Sequence, residues 1–161
     1  MKLNCTALLL MAALAGCQGM RYSASGLRDA KLGMPLSAVE SPRWAAGPLR
    51  DTVLAEGGYT WPARIAPAPG GQVLLEGDFF GADRLNRIRI ESAAFARGTA
   101  PRTGSRWAVP ADGRWSASWL EAYQVYDVVH RRQPQIHYLL RPDRPADGSA
   151  AAGTIIAIVL M

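Results

Sequence analysis

The chain has 161 residues, of which 49% are hydrophobic, and its 18 basic and 13 acidic side chains give a formal net charge of +5. This length suits one ordinary domain with a core of its own. A nucleic-acid-binding surface concentrates basic charge on one face and interleaves it with aromatic residues. The arginines of this chain are scattered instead, so we expect no nucleic-acid partner.

Residues 1–16 have the pattern of a secretory signal, in which Lys2 precedes an apolar run over residues 7–14 and then small residues. A helix that spans a bilayer needs about 20 consecutive apolar residues, and this run is shorter. The alternatives are a buried N-terminal helix and an exported protein cleaved elsewhere. We predict that the segment is a signal peptide and is removed.

The signal ends in Leu14-Ala15-Gly16-Cys17, which resembles the lipobox of bacterial lipoproteins. The resemblance implies cleavage before Cys17, a diacylglycerol on its thiol and a further acyl chain, such as palmitate, on its amine. Two or more acyl chains give stable attachment to a membrane. Gln18 is similar to the residue that follows the cysteine in lipoproteins of the outer membrane. We therefore expect a lipid-anchored protein on the periplasmic face of that membrane.

The cysteine count follows from this prediction. Two cysteines in an exported protein ordinarily suggest a disulfide. Cys5 lies in the predicted signal and Cys17 carries the predicted lipid, so we expect no disulfide and no free thiol in the mature chain.

After the signal, residues 17–27 are small and polar and predict a flexible lipidated tether, and residues 28–161 predict a single β-rich domain. Residues 34–40 fit a short helical turn. Residues 48–56 fit either a strand or a helix.

Three segments then predict strands, and the last shows two arginines that alternate with isoleucines, as on a strand with one wet face. The turns between them contain Gly and Asp, which favours an antiparallel meander. The three segments are residues 60–67, 72–80 and 85–92.

Residues 93–113 are rich in Gly, Pro, Ser and Thr and predict a long surface loop. The next segment, residues 114–123, spaces Trp115, Trp119 and Tyr123 four residues apart. That spacing places the three rings on one face of a helix.

A late hairpin is predicted from residues 123–130 and 135–141, with a four-residue turn at 131–134, and residues 142–153 predict a loop. Residues 154–161 are apolar on both faces and predict a buried central strand. We therefore predict a mainly β fold, in which an antiparallel sheet combines the meander, the hairpin and this strand. One or two short helices are expected to cover one face.

A second resemblance covers residues 85–160. The segments IRIES (88–92), Gly104-Ser105, PQIHYLL (134–140) and IIAIVL (155–160) are similar to those of small Gram-negative lipoproteins of uncharacterised function. The resemblance implies the same order of strand, loop, late hairpin strand and final hydrophobic strand. It implies no catalytic residues.

His130 and His137 are the only histidines, so any metal or acid–base hypothesis rests on them. With a four-residue turn, residue 128 faces residue 137, and the two imidazoles share one sheet face on diagonal positions about 7–8 Å apart. They could hold a metal with a third ligand, but Asp127 is expected on the opposite face. Because a zinc site needs three or four protein ligands, we predict no metal site and two histidines that pack at a rim.

No other constellation predicts catalysis. Ser105, Ser116 and Ser118 lie outside any G-x-S-x-G nucleophile elbow. Glu76 and Asp78 are expected on one strand face, which is a common spacing on a solvated sheet. We predict no catalytic residue, no cofactor and no enzymatic activity.

The five tryptophans leave two functions open. Trp115 and Trp119 either close the open face of the sheet or form a stacking platform for a glycan or lipid. We favour a structural, interaction or envelope-maintenance role, with the membrane and another envelope protein as partners. The alternative is a glycan- or lipid-binding lipoprotein that uses the Trp115 and Trp119 region, and an enzyme ranks third.

The lipid anchor is tested by metabolic labelling with a fatty acid analogue. We expect the chain to incorporate the label and the Cys17→Ser variant to lose it, because the thiol is the predicted acceptor. Incorporation of label by Cys17→Ser at the level of the unchanged chain would contradict the prediction.

Overall fold

The computed structural model of the protein describes residues 20–143 and 151–161, and it is mainly β and antiparallel, as the sequence predicts. The predicted signal peptide, Cys5, the lipobox and Cys17 lie outside the described residues. So does the middle of the loop predicted at 142–153.

The described residues form twelve strands and no α-helix. A single 3₁₀ turn, Glu121–Tyr123, is the helical content of this part of the chain. The strands are β1 (Tyr22–Ser23), β2 (Gly26–Leu27), β3 (Ala30–Lys31), β4 (Arg50–Glu56), β5 (Tyr59–Ala68), β6 (Gly71–Glu76), β7 (Arg87–Ile90), β8 (Arg106–Ala108), β9 (Trp115–Leu120), β10 (Val125–His130), β11 (Gln133–Pro142) and β12 (Ala152–Leu160).

Nine of these strands form one sheet in the order β4-β5-β6-β7-β12-β11-β10-β9, and β8 pairs with β12 on the same side as β7. The predicted meander is confirmed as β5-β6-β7, and β4 extends it by one strand. The C-terminal segment is confirmed as a central strand, because β12 lies between β7 and β11.

Strand β12 has apolar side chains on both faces, and each face has a different role. On one face, Ile158 pairs with Ile90, and both are fully buried in the core. On the other face, Val159 and Ala157 lie opposite His137 and Leu139 of β11. The strand therefore contributes to the core and also to the opposite surface of the sheet.

The core face is covered by short strands and loops, so the prediction of one or two covering helices is wrong. Strands β1, β2 and β3 form a small separate sheet that packs on this face, together with the loop that follows it. Trp44 of that loop contacts Phe95 edge to face at 5.2 Å between ring centroids. Large apolar side chains on irregular backbone thus supply the burial that we expected from helices.

The predicted flexible tether over residues 17–27 is also wrong for its described part. Tyr22 is 4% exposed and Leu27 is fully buried. Gly26 makes the close approach possible, because it has a φ of 123° and a Cβ there would lie 2.4 Å from the Ala30 carbonyl oxygen. The packed domain therefore includes residues from Met20 onward, and does not start at residue 28.

The predicted helix at 114–123 is strand β9. A spacing of four residues puts side chains on one side of a helix, but any even spacing does the same on a strand. Trp115 and Trp119 therefore do share a face, with the backbone of β9 paired along β10. Tyr123 falls in the 3₁₀ turn beyond the strand.

The remaining predictions of local structure are partly wrong. Residues 34–40 form turns, and residues 48–56 contain strand β4. The segment at 93–113 is not only a surface loop, because it contains β8 and the fully buried Phe95. Phe95 is a single apolar residue among small ones, and no periodic pattern surrounds it.

We predict that Gly153→Ala destabilises the sheet. A Cβ at Gly153 would lie 2.0 Å from the carbonyl oxygen of Arg141 in the paired strand, so the backbone has to move. We expect a loss of about 1–3 kcal/mol in the free energy of unfolding, measured by chemical denaturation.

The control is Gly47→Ala, where the nearest atom would be Pro67 Cγ at an ordinary 3.7 Å. This variant should stay within about 0.5 kcal/mol of the unchanged chain. Equal unfolding free energies for Gly153→Ala and Gly47→Ala would contradict the close approach of β12 to β11 at Gly153.

Candidate functional site

The face of the sheet opposite the core contains a cleft of about 470 Å³. Glu56 at the end of β4 and Tyr123 just after β9 both line it, so the sheet curves until its two edge strands border one space. The other polar lining residues are Arg87, Arg89, Glu91, Asp127, His137 and Arg141. The apolar lining residues are Leu120, Val125, Leu139, Ile156, Ala157, Val159 and Met161.

A buried carboxylate holds one side of the cleft in place. Glu76 of β6 is 1% exposed, and its Oε2 accepts hydrogen bonds from Arg87 Nε at 2.9 Å and Trp61 Nε1 at 3.1 Å. The guanidinium of Arg87 also lies 5.6 Å from the Trp61 ring centroid. A buried carboxylate is tolerated only when it is paired in this way. Glu76 and Trp61 therefore fix the direction in which Arg87 enters the cleft.

Arg89 lies one step further along β7, between two carboxylates. Its Nε is 3.2 Å from Glu91 Oε1 and 3.7 Å from Glu76 Oε1. Glu91 Oε2 in turn accepts a hydrogen bond from Gln72 Nε2 at 2.9 Å. The wet face predicted for this strand is confirmed, but its charges are ordered by partners and are only partly exposed.

The other side of the cleft contains a histidine paired with a carboxylate. His137 Nδ1 lies 2.9 Å from both carboxylate oxygens of Asp127, and both side chains are mostly buried. The ring nitrogen therefore donates to Asp127, and Nε2 keeps a free lone pair when the imidazole is neutral. This geometry is that of a base and the group that orients it.

The sequence prediction for these histidines was wrong because the hairpin register differs by one residue. The turn has two residues, with His130 opposite Gln133, and a β-bulge after Val129 brings Val129 opposite His137. A slip of one residue moves every side chain to the other face of a strand. Asp127 and His137 therefore share the cleft face, and His130 lies on the opposite face.

The two histidines do not form a joint site. His130 Nδ1 accepts a hydrogen bond from the Arg132 backbone N–H at 3.2 Å, and its ring packs against Trp115 at 4.7 Å between centroids. Over residues 20–143 and 151–161, no group of three His, Cys, Asp or Glu side chains is placed to hold a metal.

Trp115 and Trp119 lie on the face of β9 opposite the cleft. Trp119 contacts Tyr126, and Trp115 joins a cluster of rings with Trp107 and Tyr138. Trp115 also borders a second, more open groove of about 510 Å³ next to the loop of residues 97–101. Both tryptophans are partly buried, so they serve packing, and Trp115 also lines a surface.

The serines and the carboxylate pair of the sequence prediction do not assemble into a catalytic group. The Ser105 hydroxyl donates to the Arg102 carbonyl oxygen at 2.6 Å, and Ser116 and Ser118 are exposed on β9 outside the cleft lining. Asp78 accepts a hydrogen bond from the Phe80 backbone N–H in the turn after β6. Of this pair, only Glu76 is connected to the site, through its hydrogen bond with Arg87.

Comparisons with known proteins show the fold and no family. No protein-family model and no curated protein sequence matches the chain. The structure is similar to the crystal structure of the uncharacterised protein yfeY from Escherichia coli, with a TM-score of 0.62 and 13% sequence identity. The match covers 87% of this chain and 98% of that one. Among the described residues, no helix has the length and apolar character needed to cross a membrane.

Sequence patterns predict the position of some residues of the cleft but not of others. The alternation in β7 indicated that Arg87 and Arg89 share a face, but nothing local indicated that Glu76 would be buried between them. The prediction that Asp127 lies on the opposite face assumes a four-residue turn, whereas the turn has two residues. A two-residue turn of two arginines lacks the Asn-Gly or Asp-Gly signal that marks tight hairpins.

We predict that the two histidines adopt opposite tautomers when neutral. His137 should carry its proton on Nδ1, which donates to Asp127, and His130 on Nε2, because its Nδ1 accepts from the backbone. Nitrogen chemical shifts of the imidazole rings, measured by NMR at alkaline pH, distinguish the two forms.

Asp127→Ala should release His137 into a mixture of tautomers and leave His130 unchanged, so His130 is an internal control. An Nε2–H form of His137 in the unchanged chain would contradict the pairing in the cleft.

Proposed function

We propose that the chain is a lipoprotein of the bacterial cell envelope that binds a small amphipathic ligand in its cleft. The lipid on Cys17 would hold it on the periplasmic face of the outer membrane. The observation that carries the binding proposal is the cleft itself, in which charged groups held by neighbouring side chains surround an apolar floor.

The size and lining of the cleft support ligand binding. Binding sites for small molecules are concave, measure about 300–1,000 Å³ and combine apolar walls with a few placed polar groups. This cleft measures about 470 Å³. Its floor is formed by Ala157 and Val159 of β12 and by Leu139 of the adjacent strand β11.

The charges favour a ligand with a neutral or zwitterionic head group. Three arginines and three carboxylates line the cleft, so its charges nearly balance when His137 is neutral. Four of these six charged groups already have a partner. Arg87 is paired with Glu76, Arg89 with Glu91, and Asp127 with His137. A ligand of strong single charge would face groups of both signs, whereas an amphipathic molecule with donors and acceptors at one end fits both the polar groups and the floor.

An enzyme is the second candidate, and the pairing of His137 with Asp127 in a cleft favours it. The residues that line the cleft include no serine, threonine or cysteine. A mechanism that depends on a Ser, Thr or Cys nucleophile would lack its attacking group there. Binding is for that reason the function we propose. The structural or interaction role predicted from sequence stays a prediction.

The binding proposal is tested by native mass spectrometry of the full chain isolated with its anchor. We expect a small molecule to remain bound, and Leu139→Trp to lose it, because an indole would fill the floor of the cleft. The matched control is Val53→Trp on edge strand β4, where the side chain is 67% exposed and does not line the cleft. This variant should retain the ligand.

Melting curves check that both variants fold. A panel of zwitterionic amphiphiles supplies a second readout, because a ligand at one hundred times its Kd stabilises a protein by about 2.7 kcal/mol. Equal retention by Leu139→Trp and Val53→Trp would contradict the cleft as the site. So would the absence of both a bound molecule and any shift in Tm across the panel.

A further inference from the structure

The N-terminal segment enters the domain beside a basic and aromatic surface on the side of the sheet away from the cleft. The Met20 carbonyl oxygen accepts a hydrogen bond from the Ala96 backbone N–H at 3.0 Å, and Arg21 forms a bridge with Ala96. Tyr22 is held by its hydroxyl, 3.4 Å from that of Tyr138, and burial raises the pKa of Tyr22 well above its ordinary value.

Next to this entry point lies the hairpin turn between β10 and β11. Arg97 follows Ala96, and its guanidinium donates to the Gln133 side-chain oxygen at 2.5 Å. Gln133 directly follows the exposed turn residues Arg131 and Arg132. The backbone N–H of Arg131 donates to the Arg114 carbonyl oxygen, which places Trp115 beside the same turn.

We infer that this surface lies on an anionic phospholipid bilayer. The tether-side surface is defined by Arg21, Arg97, Trp115, Arg131 and Arg132. The inference rests on the proposed anchor at Cys17. Three residue steps separate Cys17 from Met20, and they span at most about 10 Å. The packed position of Met20 therefore brings the tether-side surface close to the lipid head groups, whatever the path of the short link.

The chemistry of the surface fits that partner. Four of its five members are arginines, which are attracted to the negative surface potential of anionic lipids. Tryptophan favours the boundary between head groups and acyl chains, and Trp115 borders the open groove on this side. Asp112, two residues before Arg114, adds no unpaired negative charge here, because it is paired with the Arg114 guanidinium. On the opposite face of the sheet, the cleft then stays open to the periplasm.

The test uses the full anchored chain in vesicles of phosphatidylcholine and phosphatidylglycerol that contain a spin-labelled lipid. A fluorophore is attached to an introduced cysteine, either Thr99→Cys on the loop of the groove or Val53→Cys on edge strand β4. We expect lipid quenching several times stronger at residue 99 than at residue 53. In pure phosphatidylcholine the difference should shrink.

The charge-reversal variant Arg131→Glu/Arg132→Glu should lower the quenching at residue 99 towards that at residue 53. The control Arg50→Glu/Arg84→Glu changes two exposed arginines on β4 and on the loop before β7, and it should leave the quenching unchanged. Equal quenching at residues 99 and 53, or no effect of Arg131→Glu/Arg132→Glu, would overturn the inference.

The experiment distinguishes a missing lipid anchor from a missing bilayer contact. Without acylation, Cys17 itself would take up the fluorophore, and the chain would separate from the vesicles on flotation. A chain that floats, carries no label at Cys17 and shows no preference between residues 99 and 53 contradicts the bilayer contact alone.

Discussion

Strand β12 is paired along both of its edges, and this double pairing holds the large sheet together. This strand joins the meander of β4 to β7 to the hairpins of β9 to β11, because it pairs with β7 and β8 on one side and with β11 on the other. Its two faces are both apolar, so one completes the core and the other forms the floor of the cleft. A strand with a single apolar face could not serve both surfaces.

The charged groups of the cleft depend on this arrangement. Glu76 is buried on the cleft face, and its burial is tolerated because Arg87 and Trp61 reach it from the neighbouring strands. The same carboxylate lies near Arg89, which also contacts Glu91. These contacts order the side chains within the protein itself, and preorganisation of this kind would lower the entropic cost of binding the proposed ligand.

Sequence patterns predicted the parts of the fold that are specified locally. The alternation of arginine and isoleucine in β7 and the two-sided apolar character of β12 each identify a strand and its surroundings without reference to other segments. The helix prediction for β9 is wrong because two tryptophans four residues apart, Trp115 and Trp119, share a face in a helix and in a strand alike. The layer over the core could not be predicted, because Tyr22, Trp44 and Phe95 are isolated large side chains that belong to no periodic pattern.

The candidate site could not be predicted because it depends on the register of one hairpin. The pairing of Asp127 with His137 depends on a two-residue turn and a bulge after Val129, and a register change of one residue reverses which side chains share a face. Because the hydrophobic pattern of each strand is the same in either register, that pattern cannot show which register forms. The burial of Glu76 likewise depends on partners that lie eleven and fifteen positions away in the sequence.

A crystal structure of the full chain isolated from its own envelope would test whether the curved sheet keeps an open cleft with the proposed ligand in it. We expect non-protein electron density between the β7 and β10 sides of the cleft, in contact with His137 and with the guanidinium of Arg89. We also expect His137 Nδ1 to remain hydrogen-bonded to Asp127. A cleft closed by Leu120 and Tyr123 against Arg87, with His137 turned away from Asp127, would contradict both expectations.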